Sequence, residues 1–405
     1  MRILILGTVR PAHVLLKDQG HDVVLFMSIK TAAPADNSFG YESLVYFSEN
    51  ASDQQYLDQA LALHKHQPIN AVCCFNDDVQ AAGILIAEAL NLPFPINKDV
   101  LDNVSDKSKT RELVRQAGFD STSYCVAADK EDASNYLNEH GFPAIVKPLS
   151  ATGSTGVFKV NTIEEFERCD EEGLSYPLLL EEFLVGKEYS VEAISENGEH
   201  RVVAVTQKII DDRTFVELGH VVPAPLNELQ FRQVEEFVCE VIKAVGIQHG
   251  ASHTEIMMTT SGPRLIETHS RLGGDRIFEL VRLATGVDLL LLTARQAIGD
   301  SILEDYDRLT KQKNFAAVKF IVPAVAAKLR IASIENIEKA KSMPGVSALV
   351  LTKNAGDYLV PITNSFERAG FCVTFAQSAE QAMERADDAV AALKYNLLWQ
   401  HEKES

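Results

Sequence analysis

The segment His253-Thr-Glu-Ile-Met-Met-Thr-Thr-Ser-Gly-Pro-Arg-Leu-Ile-Glu-Thr-His-Ser-Arg271 leaves little freedom in how it folds. Thr260-Ser-Gly-Pro263 reads as a turn between two runs of strand-like residues, so the runs pair as a hairpin and Glu255 falls roughly opposite Glu267. Side chains alternate along a strand, so the two glutamates, both at odd positions, share one face. Like charges facing each other across a ladder repel. A bound cation removes that repulsion; the alternative is a solvated sheet face that merely screens it. Magnesium is usually held by one or two carboxylates plus the phosphates of a nucleotide. The neighbours favour the cation. Ile256, Met258, Leu265 and Ile266 are apolar, and Arg271 followed by the flexible pair Gly273-Gly274 suits the handling of transferred phosphate, because arginine stabilises charge developing on a reacting group. The hairpin therefore reads as a magnesium–nucleotide site.

Such a site needs walls, and 405 residues give room for two or three domains. A formal charge of −19 argues against binding a nucleic-acid backbone, which needs lysine and arginine surfaces, and against attraction to anionic membranes. No apolar run approaches the roughly 18 residues of a membrane span, and Met1–Gly7 is a short strand rather than a leader. The expectation is a cytoplasmic protein. Cys73, Cys74, Cys125, Cys169, Cys239 and Cys372 are scattered, lack paired zinc spacing and read as buried thiols of a reducing compartment.

In the first hundred residues, short apolar runs alternate with amphipathic stretches. Arg2–Leu6, Asp22–Met27 and Ala71–Phe75 read as strands, with helices near Pro11–Gln19 and Val79–Leu90. This alternation predicts a parallel sheet covered by helices. The first turn, Gly7-Thr-Val-Arg10, lacks G-x-G-x-x-G and carries no dinucleotide motif. Leu92-Pro-Phe-Pro95 breaks the pattern and marks a boundary. A helix follows, from Asp106 to Gly118, with an aspartate at its start and a glycine at its end.

Two further segments carry chemistry only in combination. Ala144-Ile-Val-Lys147-Pro148 reads as a strand, and Ser150-Ala-Thr-Gly153-Ser154-Thr-Gly156 as a loop before the strand Val157–Val160. Glycine and hydroxyl residues there let backbone N–H groups wrap phosphate oxygens; a plain glycine-rich hairpin is the other reading. Pro177-Leu-Leu-Leu-Glu181-Glu182-Phe183-Leu184-Val-Gly-Lys-Glu188 runs from an apolar strand through a connector into the strand Tyr189–Ile194. Its backbone suits a purine edge and its carboxylate ribose hydroxyls, while a hinge with solvated acids is the plainer reading.

In this order, Lys107, Lys147 with the glycine-rich loop, Glu181 to Leu184, Glu188, Glu255, Glu267 and Arg271 resemble the ATP-grasp ligases over roughly residues 100–300. The resemblance implies a mixed α/β and α+β protein with an ATP-grasp fold. A Rossmann-like N-terminal parallel-sheet domain would occupy 1–98 and a two-subdomain ATP-grasp unit 99–312, its lid at about 119–187. A C-terminal α/β domain would occupy 313–405. Lys107 and Lys147 would contact phosphates of ATP with Ser150, Gly153, Ser154 and Gly156 of the lid. Glu181 would meet the adenine amino group, Glu182 would lie beside it, and backbone groups of Phe183 and Leu184 would read the purine. Glu188 would take the ribose, Met257 would pack under the base, and Glu255 and Glu267 would hold Mg2+, for which Mn2+ can substitute. Arg271 would steady the acyl-phosphate and tetrahedral states.

One position departs from the usual Glu-x-Asn-x-Arg: the chain has Glu267-Thr-His269-Ser-Arg271, and histidine is a poor ligand for a hard ion. His269 would instead bond phosphate or substrate. That variant resembles bacterial L-amino-acid ligases, which join two amino acids into a dipeptide. Glu217-Leu-Gly-His220-Val-Val-Pro223 resembles their substrate segment, and Phe315–Tyr395 their C-terminal domain. Glu217 and His220 would then serve substrate and catalysis, with Gly274, Asp275 and Arg276 beside the substrate. In a member of that group preferring small N-terminal residues, a tryptophan stands at the spacing of Asp275. Aspartate there either accepts a larger, basic amino acid, arginine or lysine, or pairs with Arg276 or another basic neighbour, or binds the substrate's α-ammonium. Partners implied are small amino acids, with a homodimer as the general prior. Other acceptors, such as bicarbonate or a peptide amine, and a regulatory module without turnover are the rival readings; no biotin-carrying lysine motif is evident.

Overall fold

Arg2–Leu6 (β1) is buried along its whole length, as a strand covered on both faces must be. Ile3 and Ile5 point into one apolar cluster and Leu4 and Leu6 into another, so successive side chains serve opposite faces. The computed structural model describes residues 1–150, 155–171, 173–309 and 314–399. Strand β1 pairs in parallel with β2 (Asp22–Ser28) and β4 (Ala71–Cys74), and β3 (Ser43–Phe47) completes a sheet of order β3-β2-β1-β4. The parallel sheet is the one expected; β3 and the helix Asp53–His66 are additions that the sequence pattern had not marked.

Helix Arg10–Asp18 buries His13 completely, with Nδ1 2.9 Å from the Tyr41 hydroxyl. Burial, helped by nearby Arg10, lowers its pKa to about 4. The unfolded chain takes up a proton there near pH 6.5 and the folded chain does not until about pH 4, so acidification through that window favours unfolding, by at most ~3 kcal/mol. We expect the stability advantage of the wild type over His13→Gln, read from urea midpoints, to shrink between pH 7 and pH 5.

A small antiparallel sheet of β5 (Tyr124–Ala127), β6 (Ala144–Pro148), β7 (Phe158–Val160) and β8 (Leu178–Glu182), in the order β5-β8-β6-β7, lies in the segment expected to form the lid. Val146, Val160, Phe166, Leu178 and Leu180 form its core.

Strands β9 (Lys187–Glu196), β10 (Glu199–Ile210), β11 (Glu217–Val222), β12 (Gly250–Thr259) and β13 (Gly262–His269) build a larger antiparallel sheet. Helix Glu228–Val245 lays Val234, Val238, Val241 and Ile242 on one face, against Val191, Val205, Ile256 and Leu265. Among the C-terminal strands β14 (Phe315–Ile321), β15 (Leu329–Glu335), β16 (Val346–Leu351), β17 (Tyr358–Leu359), β18 (Gly370–Ala376) and β19 (Lys394–Trp399), three continue this sheet, giving β13-β12-β9-β10-β11-β14-β18-β16. Strands β17, β15 and β19 form a separate small sheet. The C-terminal region is thus stitched to β11, which brings the loop before β18 beside the residues of β11. Among the described residues no helix is long and apolar enough to cross a membrane.

Candidate active site

The hairpin turns at Thr260 and Ser261, between the end of β12 and Gly262 at φ +111°, a conformation glycine adopts without a steric penalty. The Thr259 hydroxyl fastens the turn by donating to the Gly262 carbonyl at 2.8 Å. Glu255 pairs directly with Glu267. The ladder then slips: Ile256 pairs with Leu265, leaving Ile266 as an extra residue. This bulge turns Ile266 towards the same cleft as Glu267 and Met257.

Each glutamate is held by one lysine and one histidine. Lys208 Nζ lies 2.8 Å and His253 Nε2 3.2 Å from Glu255, and Lys107 Nζ 3.0 Å and His269 Nε2 3.1 Å from Glu267. Burial opposes ionisation of both carboxyls. Lys208 beside Glu255 and His269 with Lys107 beside Glu267 outweigh it, holding both below the ordinary glutamate value. Beneath the pair, His253 Nδ1 sits 2.6 Å from Glu192, which also accepts from the Gly273 N–H at 3.0 Å. A Cβ on Gly273 would stand 2.7 Å from His253 Nδ1, so this glycine is required by close packing. The sequence reading treated Gly273-Gly274 as a flexible pair; only Gly274 has open space around it.

Two opposed carboxylates match the oxygen preference of magnesium. Among the described residues no trio of His, Cys, Asp and Glu side chains is arranged to hold a metal, so phosphates and water would complete the shell. His269 occupies the place of the usual asparagine and hydrogen-bonds Glu267.

A cleft lies between the small sheet and the large sheet. Lys107, Lys147, Glu182, Leu184, Glu188 and Met257 line it, as do Glu181 and Phe183. Two of these differ from expectation. The Glu181 carboxylate, expected at the adenine amino group, is engaged by Lys147 Nζ at 2.5 Å and by Arg111, which gives both cations a counter-charge. Burial lowers the pKa of Lys147 even with Glu181 beside it. The Phe183 N–H is committed to the Pro143 carbonyl at 3.3 Å, leaving only the carbonyl of that residue for a purine. Gly156 packs on Pro148 next to the cleft residues Thr155 and Val157, whereas Ser150 is exposed and outside the lining. Gly153 and Ser154 lie outside the described residues.

A second cavity is lined by Glu217, His220, His269, Arg271, Gly274 and Asp275. His220 is 1% exposed, and neither ring nitrogen has a hydrogen-bond partner; Nε2 stands 3.6 Å from Asp275. Asp275 has a basic partner, and it is Arg368: two bonds of 2.8 Å join the guanidinium to both carboxylate oxygens. Arg276, the neighbour the sequence suggested, turns to Glu279 and lines an adjoining crevice instead. Glu217 accepts from the Ser365 hydroxyl at 2.7 Å. Arg271 is anchored by Asp77 at 2.6 Å, at the carboxyl end of β4.

Lys208, Arg111, Asp77, Ser365 and Arg368 were absent from the sequence reading. For Lys208 the local pattern gave no signal: β10 also holds Arg201, and Thr206 and Gln207 directly precede the lysine. Its side chain is 4% exposed and touches Glu188 at 2.6 Å, Glu255 at 2.8 Å and Glu217 at 3.6 Å. Burial works against its charge, and the three carboxylates outweigh it and keep it protonated.

Residues 140–279 match the family model of the ATP-grasp domain, and residues 325–397 that of L-amino acid ligase C-terminal domain 2. The chain is 26% identical over 320 residues to an uncharacterized protein of Sinorhizobium fredii, covering 77% of this chain and 65% of that one. It is 28% identical over 218 residues to the alanine–anticapsin ligase of Bacillus subtilis, covering 47% of this chain and 46% of the ligase. It thus spans less than two-thirds of the length of either relative. In three dimensions it resembles the crystal structure of an L-amino acid ligase from Bacillus licheniformis, with a TM-score of 0.84 and 20% identity over 99% of both chains. The chain thus has the fold of that ligase, and it carries an ATP-grasp domain followed by a match to L-amino acid ligase C-terminal domain 2.

Proposed function

We propose that the protein is an ATP-dependent ligase that activates an amino acid through its carboxylate and joins it to the amine of a second, giving a dipeptide, ADP and phosphate. One observation carries the reading: Lys208, Glu255 and Glu267 line both the first cleft and the second cavity. A nucleotide in the cleft and a carboxylate in the cavity would meet at these residues. Phosphoryl transfer needs little covalent help from a protein; it needs positioning and charge compensation.

Glu255 and Glu267 would hold Mg2+, which when bound supplies positive charge to the transferring phosphoryl group. Lys147 would reach the nucleotide from the small sheet and Lys107 from beside Glu267, and Lys208 faces the junction. A carboxylate oxygen attacks the γ-phosphorus, the bond to the β-phosphate oxygen breaks, and ADP leaves. The acyl phosphate is hydrolytically fragile, so the lid strands over the cleft serve to exclude water. The incoming amine attacks the acyl carbon and phosphate departs. Glu217 is already engaged by Ser365 and by Lys208. His220, in the cavity wall with Nε2 3.6 Å from Asp275, is the side chain we assign to take the amine proton. Arg271 lines the cavity opposite and compensates oxyanion charge.

The test is nucleotide turnover with magnesium and a panel of single and paired amino acids, with product masses. ADP release that requires amino acids and yields a dipeptide mass is the expected result. Nucleotide binding without turnover across the panel would sink the ligase reading.

A further inference from the structure

The short C-terminal segment Asn364–Arg368 reaches into the second cavity at three points. Ser365 holds Glu217, Arg368 holds Asp275, and Phe366 lies between them with 79% of its surface exposed, lining both this cavity and the adjoining crevice. The segment is fixed rather than draped. Asn364 caps it through the Phe366 N–H at 3.0 Å, and the Arg368 guanidinium lies 3.8 Å over the Phe320 ring.

The Asp275–Arg368 contact decides the electrostatics of the pocket. A bidentate arginine–carboxylate pair occupies both oxygens of the aspartate in fixed planar geometry. Arg368 is 11% and Asp275 28% exposed, so water screens the guanidinium side of the pair only weakly. A basic substrate side chain would have to displace a cation already seated with ideal valence, and it would leave Arg368 buried without a counter-charge. Such a pocket does not reward a positive charge, and it places an exposed phenyl ring at its wall.

We infer that Arg368 masks Asp275 and that the second cavity accordingly takes an amino acid with an uncharged, apolar side chain, packed against Phe366. This rests on the ligase reading for its chemistry, while the pocket itself can be probed by binding alone. Arg368 is a specificity residue that acts through Asp275, and Phe366 touches the substrate.

The experiment compares leucine, methionine and phenylalanine with arginine and lysine, by ADP release and by thermal stabilisation of the MgADP-loaded protein. The wild type should use and bind the apolar group at least about tenfold better than the basic one. Arg368→Met should raise the relative use of arginine and lysine about tenfold, because it unmasks Asp275, and adding Asp275→Asn should cancel that gain. Phe366→Ala should raise KM for the apolar amino acid and leave kcat and the KM for ATP unchanged. A merely structural role for Arg368 would lower activity towards every substrate alike. Arg368→Lys, which keeps a cation on Asp275, should retain the apolar preference and control for folding. A wild type that favours arginine or lysine, or an Arg368→Met profile unchanged in ratio, overturns the inference. Apolar amino acids that stabilise the protein without stimulating ADP release would sink the ligase reading and leave the pocket assignment standing; no stabilisation by any amino acid sinks both.

Discussion

Replacing Arg271 with alanine is expected to cut amino-acid-dependent ADP release by about 10³-fold or more, the range seen when an arginine that compensates phosphoryl charge is removed. That corresponds to roughly 4 kcal/mol of transition-state stabilisation. MgATP affinity should stay within about threefold, since only transition-state contacts are lost. The reason is geometric: Arg271 lines the second cavity and is not among the residues that line the nucleotide cleft. Single-turnover ADP formation and equilibrium nucleotide binding, measured on the same preparation, separate the two. A parallel loss of binding and turnover would place Arg271 in nucleotide recognition instead. Its anchor, Asp77, comes from the N-terminal sheet, so that domain has a direct part in setting the guanidinium.

The second large effect is expected at Lys208. Lys208→Met keeps an unbranched apolar stem and removes the one cation shared by Glu188, Glu217 and Glu255. Turnover should fall by about 10²-fold or more, comparable to deleting one electrostatic stabiliser from an active site. Stability should fall too, by about 3 kcal/mol or more, because breaking a buried pair leaves uncompensated charge. Magnesium should restore part of that stability, since it supplies positive charge to Glu255. Melting curves with and without magnesium, together with ADP release, test both parts. A variant with wild-type turnover would remove Lys208 from the mechanism.

Much of this site was legible from local pattern. The turn residues Thr260 to Gly262 set the register, and the register set Glu255 against Glu267. Apolar runs bounded by glycine and proline located β6, β8 and β12, hence Lys147, the connector from Glu181 to Leu184, and Met257. What escaped was long-range pairing. Arg368 meets Asp275 across 93 positions of chain, and Ser365 meets Glu217 across 148, distances over which strand periodicity carries no information. For Asp275 the sequence therefore left open a basic substrate, the substrate's α-ammonium, Arg276 or another basic neighbour, and only the fold shows that the neighbour is Arg368 while Arg276 turns towards Glu279. The bulge that admits Ile266 to the cleft was invisible for a related reason: strict alternation puts that residue on the opposite face. The role of Glu181 at the adenine came from the family resemblance alone, and Arg111, one helical turn beyond Lys107, which engages its carboxylate, carries no local signal of that contact. The C-terminal strands that extend the large sheet likewise depend on pairing partners far away in sequence.

The central claim is that a carboxylate in the second cavity receives the γ-phosphoryl group across the line of Lys208, Glu255 and Glu267. Oxygen-18 in the carboxylate of the amino acid that supports turnover tests it most directly. Activation as an acyl phosphate transfers a labelled oxygen to inorganic phosphate when the amine displaces it, so labelled phosphate should appear in step with ADP and peptide. Unlabelled phosphate with ADP, or label carried into AMP, would contradict the account.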